Sequence, residues 1–456
     1  MSAPNPVPYY RPRPRSIFGP LVLIAIGILF LLRTMGVISF ASFHSWMVHY
    51  WPLLLIFWGV AKLLEYAWAR HRGEPAPRLG AGGVIFLVIF VLFGMGARET
   101  ENWNWPGIRT EFGDPDWGNW MSNSYDFTDN FSQPLQGGSS IKVLSAQGEM
   151  NVTASEDNQA HVVVHKVVHS DSQESANRVN ESTHPKFTQQ GGIWLLDLTG
   201  GDFENTRFNL DLQLPRQIAL SLATRHGNLT VSQRDGNIDL TTDRGNIDAE
   251  SVKGNALLHV RNGSVNVKQV TGNVQVDGEV ENGTIADVTG TLDFNAGYNG
   301  DVELSHIGQQ LRFKSVRTDL QLAKLDGELS MGHGDIRAHS VVGPLKLNTH
   351  SNEVHLEDIS GEVEVENRNG LVELQTKAPL GNIDISNVRG GIQLDLPESA
   401  NFRLDAQSSN GNIEVNDFSV NVDNRSKDAT ARGSVGKGGP DIRLRSDRGT
   451  IQIRKQ

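Results

Sequence analysis

Three histidines recur at even spacing in the segment HVVVHKVVH and are the first candidates for metal ligands. His161, His165 and His169 are four residues apart, so on a β-strand they share one face, and imidazoles can bind Zn or Cu. A strand would separate neighbouring histidines by about 13 Å, which is too far for one ion. A helix would bring them together, but the five valines of the segment favour a strand. We therefore predict no metal site.

Carboxylates could form a catalytic pair, because glycosidases use two acids about 5–10 Å apart. Asp384 and Asp395 are one example. Polar residues recur at outward strand positions, however, and solvated outer faces account for such pairs. The segment GSVGKGG, from Gly433, resembles a phosphate loop but lacks the GxxxxGK[ST] spacing and the strand-helix frame. We predict a flexible loop there, no catalytic or cofactor-binding residue, and no enzyme.

Glycine returns every nine residues in the middle of the chain, which invites comparison with calcium-binding β-rolls. Those proteins repeat GGxGxDxUx, whereas here Asn usually follows the glycine and no double glycine precedes an Asp in the repeat. Aspartates ahead of the corner glycines, such as Asp235, Asp243 and Asp447, could instead cap turns. We predict no cofactor. The glycines are Gly227, Gly236, Gly245, Gly254, Gly263 and Gly272.

The same nonapeptide predicts the fold. Copies such as GNIDL, GNIDA and GNVQV alternate apolar and polar residues as a strand with one buried face does, and Gly-Asn is typical of a tight corner. A strand this short must be stabilised by like strands beside it, so we predict a single-chain parallel β-solenoid of about 18–20 residues per coil. Asn237, Asn255 and Asn273 should stack along one edge, and Asn228 and Asn246 along the other.

The pattern continues with drifting spacing to the C-terminus, giving room for roughly a dozen coils after Ser221. Longer alternating segments from Ser139 are predicted to cap the first coil. Residues 419–440 (SVNVDNRSKDATARGSVGKGGP) interrupt the pattern and are predicted to be a loop before the last strand pair.

Charge divides the chain into two parts. Of 41 basic and 52 acidic residues, residues 1–98 hold nine and two, so residues 99–456 hold 32 and 50 and carry a net charge of −18. This charge argues against a nucleic-acid partner for the large domain and leaves a basic partner open. The absence of cysteine excludes disulfides, thiolate metal sites and a Cys nucleophile.

The basic part contains three apolar segments, at 17–40, 46–64 and 80–97, each about the length that crosses a bilayer. We predict three transmembrane helices within residues 16–98, preceded by a disordered Pro/Arg tail at 1–15. The positive-inside rule places the N-terminus in the cytoplasm and residues after 98 outside it. The predicted inside charges are Arg11, Arg13, Arg15, Lys62, Arg70, Arg72 and Arg78, and the outside charges are Arg33 and Arg98.

Residues 99–136 are rich in Trp and acidic residues and lack a clear helical or strand period, so we predict a juxtamembrane linker. The extracytoplasmic β-solenoid is predicted to occupy residues 137–456.

Two segments resemble known families. GPLVLIAIGILFLLRTMGVI, followed by WPLLLIFWGVAKLL, resembles the membrane hairpin of LiaI/LiaF-like proteins over about residues 16–70. The repeat, most clearly in LPRQIALSLATRHGNLTVSQRDGNIDL, is similar to the putative-adhesin (Toast-rack) β-solenoid domains over about residues 139–456. The resemblance implies a role at the bacterial cell envelope in stress sensing or surface interaction, and implies no catalytic residue. The third apolar segment and the long linker depart from LiaF-type proteins, so their sensor-kinase partner is not carried over.

Three functions follow as hypotheses. The first is a non-enzymatic integral protein of the cytoplasmic membrane, held by the lipid bilayer and presenting its solenoid to an envelope protein or cell-wall component, with a homo-oligomer open. The second is a surface adhesin that binds glycans or cells. The third is a polysaccharide-acting enzyme, which requires two acids about 5–10 Å apart on stacked coils.

Overall fold

The computed structural model describes residues 123–135, 139–201, 203, 206–350, 353–424 and 428–456. The predicted tail at 1–15, the three helices within 16–98 and most of the predicted linker lie outside these residues. Ser124–Val168 and Ala176–Gln456 form one compact unit, whose fold is given below. His169–Ser175 group with the other unit. Among the described residues, none forms a helix with the length and apolar character needed to cross a bilayer.

The described chain is almost entirely β-strand, with a single α-helix, α1, at Gln173–Ser182. The first part contains β1 Asn123–Pro134, β2 Ser140–Gln147, β3 Met150–Ser155, β4 Gln159–Ser170, β5 Phe187–Gln190, β6 Ile193–Leu198 and β7 Thr206–Pro215. The repeat contains β8 Ala219–His226, β9 Leu229–Arg234, β10 Ile238–Arg244, β11 Ile247–Val252, β12 Ala256–Val260, β13 Val265–Val270, β14 Val274–Val280, β15 Gly283–Val288, β16 Leu292–Tyr298, β17 Val302–Ile307 and β18 Leu311–Lys314. The last part contains β19 Thr318–Met331, β20 Asp335–Thr349, β21 Glu353–Asn369, β22 Val372–Arg389, β23 Ile392–Leu396, β24 Phe402–Ser408, β25 Ile413–Val415, β26 Asn421–Asp423, β27 Ala429–Val435, β28 Asp441–Ser446 and β29 Ile451–Lys455.

The repeat strands alternate between two faces that enclose the apolar core. Face A is formed by β8, β10, β12, β14, β16 and β18, and face B by β9, β11, β13, β15 and β17. Strands within each face pair in parallel, with Ile238 beside Ala256 and Ile247 beside Val265, which is one coil of 18 residues. Ile238 is 2% exposed and Ile247 0%. The predicted parallel solenoid with an apolar interior is confirmed in this region.

Asparagine ladders join the coils at both edges, as predicted. On one edge the side-chain oxygen of Asn255 accepts a hydrogen bond from the backbone N–H of Asn273 at 2.9 Å, and the N–H of Asn255 donates to Asn237 at 2.9 Å. On the other edge, here called edge 2, Asn246 donates in the same way to Asn228 at 2.9 Å. Each Asn therefore satisfies a backbone donor of the next coil that the corner would otherwise leave to solvent.

Face B also bends at a position that the repeat motif does not reveal. One residue per coil adopts a left-handed conformation although it is not glycine, for example Ser251 with φ of 57°. The chain places two outward residues in succession there, between the buried Ala249 and Val252. Residue type varies at this position, so no sequence motif marks the bend. The equivalent residues are Gln233, Ser251, Gln269, Asp287 and His306.

The parallel stack is interrupted once, at β19. This strand pairs antiparallel with β18 through Leu311 and Leu322, and with β17 through Val302 and Met331. It then pairs antiparallel with β20, after which β20, β21 and β22 again pair in parallel. The prediction of a uniformly parallel solenoid is wrong for this coil. Inward and outward residues alternate equally well in either strand direction, so periodicity could not reveal the reversal.

Both ends of the column are interleaved rather than stacked in chain order. The pair β2–β3 lies between β6–β7 and β8–β9. At the other end β28–β29 lies between β22–β23 and β24–β25, so the last strands of the chain are not the last of the stack. Such interleaving places strands distant in sequence side by side and ties each end of the chain into the column.

Antiparallel strands cover the two ends of the stack. At the first end β4 pairs with β7, β5 with β6 and β1 with β4, as the capping prediction required. At the other end β27 pairs with β24, and β26 with β27. The predicted loop at 419–440 is therefore wrong in part, because β26 and β27 fall within it. The predicted linker likewise contains β1, in which half-buried Tyr125, Phe127 and Phe131 alternate with exposed residues.

Two glycines in the repeat should respond differently to a methyl group. Gly245 has φ of +146°, and a Cβ there would lie 2.1 Å from the carbonyl oxygen of Gly227. Gly283 points inward, and its Cβ would meet only Val302 and Phe294 at 3.5 and 3.6 Å. We expect Gly245→Ala to cost about 2–3 kcal/mol or more, and Gly283→Ala to change stability by less than about 1 kcal/mol.

The measurement is the unfolding of the full chain in detergent, followed by the circular dichroism of its β-sheet. Equal loss of stability in both variants would contradict the close backbone contact at edge 2.

Candidate functional site

The reversal at β19 opens edge 2 of the column. In an ordinary coil the chain crosses from face A to face B at this edge, as it does after Tyr298 at the end of β16. In the next coil, β18 reaches this edge and turns back along face A at 315–317, which begins β19. β19 later returns to the same edge on face B and turns back along face B at 332–334, which begins β20. Within the continuous stretch 298–350, no segment therefore joins the two faces at this edge between 301 and 350. The gap between the two turns forms the edge cleft.

The edge cleft has a volume of about 770 Å³, and its lining is polar and apolar in nearly equal parts. This volume lies in the range of ligand pockets, about 300–1,000 Å³. Residues from β14, from the crossing below, from both turns and from the end of β20 contribute to it. They include Glu279, Tyr298, Arg317, Thr318, His333 and His350.

An aromatic group supports the floor of the cleft. Phe294 and Phe313 stack in the core with ring centroids 4.8 Å apart and an interplanar angle of 11°. Tyr298 packs edge-on against Phe313 at 5.8 Å and is half-buried. Burial raises the pKa of the Tyr298 hydroxyl, while the positive charge of Arg317 acts in the opposite direction. The phenol is therefore a neutral hydrogen-bonding group close to a cation.

The rim of the cleft carries basic side chains that form no ion pair, although the carboxylate of Glu279 also lines the cleft. Arg317, His333 and His350 are exposed, and none of them forms an ion pair or a side-chain hydrogen bond with another residue of the described chain. Backbone groups fix two of them, because the N–H of His350 donates to the carbonyl of Arg317 at 3.2 Å. Behind the rim, the buried hydroxyls of Thr318 and Thr349 are 3.0 Å apart. The cleft thus presents a guanidinium and two imidazoles that lack side-chain partners among the described residues, on a backbone held by the reversed coil.

A second hollow of about 520 Å³ lies on face A near the first coils. It is a shallow groove over successive outward side chains such as Lys142, Ser221, Asp239 and Leu257. Leu257 is 41% exposed and the nearby Ile193 43%. Because the groove follows the outward side chains of the ordinary repeat, whereas the edge cleft lies where the repeat is interrupted, we take the edge cleft as the candidate site.

The histidines of β4 are spread along an outward strand face, as predicted. The imidazole of His161 contacts the carboxylate of Asp157 at 2.9 Å and the hydroxyl of Ser132 at 2.9 Å. His165 instead lies 3.4 Å from Thr128 and 3.9 Å from Asp211. The hydrogen bond from His161 is the main cause that lowers the pKa of Asp157. Among the described residues, no group of three or more His, Asp or Glu side chains is arranged to hold a metal ion.

The acidic residues considered as catalytic or turn-capping groups lie apart. Asp384 belongs to the face A part of β22, beside Glu364 and Arg443, whereas Asp395 is on face B beside Arg454.

The corner aspartates pair with the next coil. Asp235 contacts Lys253 at 3.2 Å and Asp243 contacts Arg261 at 3.5 Å. These ion pairs link neighbouring coils at the surface, where each contributes at most about 1 kcal/mol. The expectation that these two carboxylates cap their own turns is thus replaced by contacts between coils.

The segment that resembles a phosphate loop has another role. Gly433 lies within β27 opposite Leu404, and the backbone N–H of Lys437 donates to the side-chain oxygen of Asn401 at 3.0 Å. No helix follows it, because the chain continues into β28. The segment therefore belongs to the cap of the column.

Two buried cations were missed by the sequence analysis. Arg234 is 0% exposed, and the inward position beside it on the next coil is occupied by Val252. Its guanidinium donates hydrogen bonds to the carbonyl oxygens of Leu214, Pro215 and Ile218 at 2.9, 2.6 and 3.0 Å. Burial lowers its pKa to about 10, so it remains charged at neutral pH. Only its place at the buried end of an alternating strand, in SQRDGN, could have indicated this role.

Lys166 is the other buried cation, in the middle of the histidine segment. Its side chain is 0% exposed, and its Nζ contacts Asp129 of β1 at 2.5 Å. It also donates to the carbonyl oxygens of Asn180 and Thr183, near the end of α1, at 3.4 and 3.5 Å. A cation at a helix C-terminus is favourable. Lys166 therefore joins β1 and the end of α1 to β4.

The fold and the membrane segment together define a class of protein: an all-β solenoid domain attached to a membrane region. The chain belongs to the Toastrack DUF4097 family, which matches residues 136–454. Residues 17–63 match the LiaI-LiaF-like transmembrane region. The chain thus joins a LiaI-LiaF-like membrane region to a Toastrack domain, as the resemblances indicated. No curated protein gives a match to this sequence.

Several solved structures are similar to the chain at 10% sequence identity. A putative cell adhesion protein from Clostridium sporogenes covers 73% of this chain and 100% of its own, with a TM-score of 0.18. A putative adhesin from Parabacteroides merdae covers 73% and 97%, with a TM-score of 0.25. A putative adhesin from Bacteroides fragilis covers 72% and 97%, with a TM-score of 0.18. At these scores the likeness carries no argument about function.

Removal of Asp129 should be more damaging than removal of Lys166. Asp129→Asn leaves the Lys166 ammonium buried without its carboxylate, and we expect a loss of about 3 kcal/mol. Lys166→Met leaves the carboxylate of Asp129, which is 20% exposed and 3.3 Å from His184, so its cost should be smaller. Unfolding of the full chain in detergent measures both. The double variant should be more stable than Asp129→Asn alone, and an additive loss would contradict a direct pairing.

His355 should stabilise the domain in a pH-dependent way. Burial opposes its charged form, but hydrogen bonds with Glu353 and Glu373, at 3.2 and 2.7 Å, outweigh this and raise its pKa. A raised pKa gives a contribution that is complete below the unfolded value of about 6.5 and lost as pH rises through the folded value. His355→Gln should therefore lower stability more at pH 5.5 than at pH 9, by up to about 1 kcal/mol.

The control for this prediction is His259→Gln, because the imidazole of His259 forms no ion pair with another described residue. Urea unfolding at the two pH values provides the measurement. A loss in the His355 variant that does not depend on pH would refute the electrostatic account.

Proposed function

We propose that the protein is a non-enzymatic integral protein of the bacterial cell envelope that presents its Toastrack domain to an envelope protein or cell-wall component. The observation that carries this proposal is the joining of a LiaI-LiaF-like membrane region, at 17–63, to a Toastrack domain at 136–454 in one chain. A domain held beside the membrane in this way can contact only what lies within its reach. Sensing or relay of envelope stress is the role that this arrangement serves.

The charge distribution supports the orientation. Residues 1–98 carry a net charge of +7 and residues 99–456 a net charge of −18, and positive charge near membrane segments favours the cytoplasmic side. We propose three membrane helices within 16–98, a cytoplasmic N-terminus, and an extracytoplasmic domain. The tail at 1–15 and the linker at 99–136 complete this organisation, with the end of the linker folded into the column as β1.

The distribution of acids supports a binding role over an enzymatic one. Asp384 and Asp395, the candidate pair, lie on opposite faces. Each is opposite an arginine of a neighbouring strand, Arg443 or Arg454, so neither faces the other across a groove. Among the described residues that line the edge cleft, Glu279 is the one acid, and the carboxylate of Asp301 lies next to Gly332 of the lining. The separation of Asp384 and Asp395 supports a binding role over the two-acid hydrolase of the third hypothesis.

The test is crosslinking in intact cells of the native host. A photoreactive amino acid placed at Val316, which is 92% exposed on the rim of the cleft, should crosslink to a membrane-bound or wall-bound partner. The same probe at Leu257, on the face A groove, serves as a matched control and should not give that product. Protease added to spheroplasts should cleave the domain and spare an N-terminal tag.

A tag digested from outside, or the absence of any envelope product from either probe, would contradict the proposal. Products that contain only material from neighbouring cells would favour the adhesin hypothesis instead.

A further inference from the structure

The basic side chains on the rim of the edge cleft lie beside a cavity, and none of them forms an ion pair with another described residue. Residues 99–456 contain 50 acidic and 32 basic residues, and many surface cations are paired with an acid of the next coil, as Lys346 is with Glu364 at 2.8 Å. Arg317 lies at the turn before β19, and the residue beside it at the end of β20 is His350, not an acid. An arginine whose five N–H donors are free is suited to a carboxylate or phosphate.

The rest of the cleft is suited to a ring that carries hydroxyl groups. Tyr298 offers an aromatic surface and a neutral hydroxyl on the floor, and the hydroxyl of Ser315 also lines the cleft. Gly332 and Gly334 of the second turn also line the cleft and are partly exposed. Aromatic and apolar lining with a few placed polar groups is typical of small-molecule sites. The volume of about 770 Å³ leaves room for more than a simple ion.

From this geometry we propose that the edge cleft binds an acidic sugar residue, whose carboxylate or phosphate pairs with Arg317 while its ring lies over Tyr298. The two exposed imidazoles, of His333 and His350, donate hydrogen bonds to the same anion or to the sugar hydroxyls. This inference rests on the proposed function, because it names the class of envelope ligand that the domain contacts.

The negative charge of the domain does not prevent such binding. Exposed charges more than about 10 Å away are largely screened at 0.1 M salt, whereas the rim cations are in direct contact with a bound anion. The surplus of acids repels a polyanion that runs along the surface. It therefore favours a small ligand, or the end of a polymer chain, that enters the cleft alone.

The experiment uses the full chain in detergent micelles, titrated with glucuronic acid, N-acetylglucosamine 1-phosphate, glucose and inorganic phosphate and followed by calorimetry. We expect at least one of the acidic sugars to bind about tenfold or more tightly than both glucose and inorganic phosphate. Arg317→Ala should weaken that binding at least tenfold, and Tyr298→Ala should weaken it as well. Arg312→Ala is the matched control, because Arg312 is exposed on β18 outside the cleft and should leave binding unchanged.

Tyr298→Phe tests whether a loss of binding in Tyr298→Ala comes from a folding defect. The phenylalanine keeps the ring contact with Phe313, so this variant should retain most of the binding. Failure of both acidic sugars to bind, equal binding of glucose, equal binding of inorganic phosphate, or an equal loss in Arg312→Ala would each overturn the inference. If an envelope partner crosslinks at Val316 but neither acidic sugar binds, the proposed function stands and the ligand class is wrong.

A wall polymer and a glycolipid headgroup could each present an acidic sugar residue. Binding of a soluble oligogalacturonate identifies the first source, and binding of vesicles that contain an anionic glycolipid, with no binding to vesicles of phosphatidylglycerol, identifies the second. Either result supports the inference, whereas equal binding to both kinds of vesicle would contradict recognition of the sugar.

Discussion

Close parallel pairing between successive coils is the constraint on which the rest of this structure depends. No strand of the repeat can bury its own apolar residues, so each is stable only with a strand on either side. The backbone at the corners comes so close that Gly245 allows no side chain over the carbonyl of Gly227. Asparagine oxygens then satisfy the N–H groups of the next corner. Packing in the core, close contact at the edges and hydrogen bonding between the coils thus require the same register.

The same constraint explains why one reversed coil matters. β19 can enter the stack because an antiparallel strand satisfies the ladder as well as a parallel one. It cannot, however, preserve the crossing at edge 2, since a strand that doubles back must turn on the face where it began. The cleft is a direct result of this topology, and within it the neighbour of Arg317 at the end of β20 is His350, not an acid. A departure from the repeat therefore produces the candidate site, while the repeat supplies its rigidity.

Much of this could be predicted from the sequence. The nonapeptide determines the coil length, the inward Ile238 and Ile247 and the Asn ladders, because each depends on a local pattern that recurs. The reversal at β19 and the interleaving of β28–β29 could not be predicted, since both depend on which distant strands pair and not on periodicity. The charged residues that matter most in the core, Arg234 and Lys166, have partners far away in sequence. Composition alone cannot indicate such contacts.

The measurement that tests this account most directly is disulfide formation across the reversed coil, which is possible because the chain has no cysteine of its own. Glu303 and Ser330 are cross-strand neighbours only if β19 runs antiparallel to β17. Cysteines at this pair should crosslink readily under mild oxidation, because facing residues of antiparallel strands lie at disulfide distance. A uniformly parallel stack would instead place Gln321 beside Glu303, one 18-residue coil further along. Crosslinking of the 303–330 pair and none of the 303–321 pair is the predicted result, and the opposite outcome would contradict both the reversal and the cleft that depends on it.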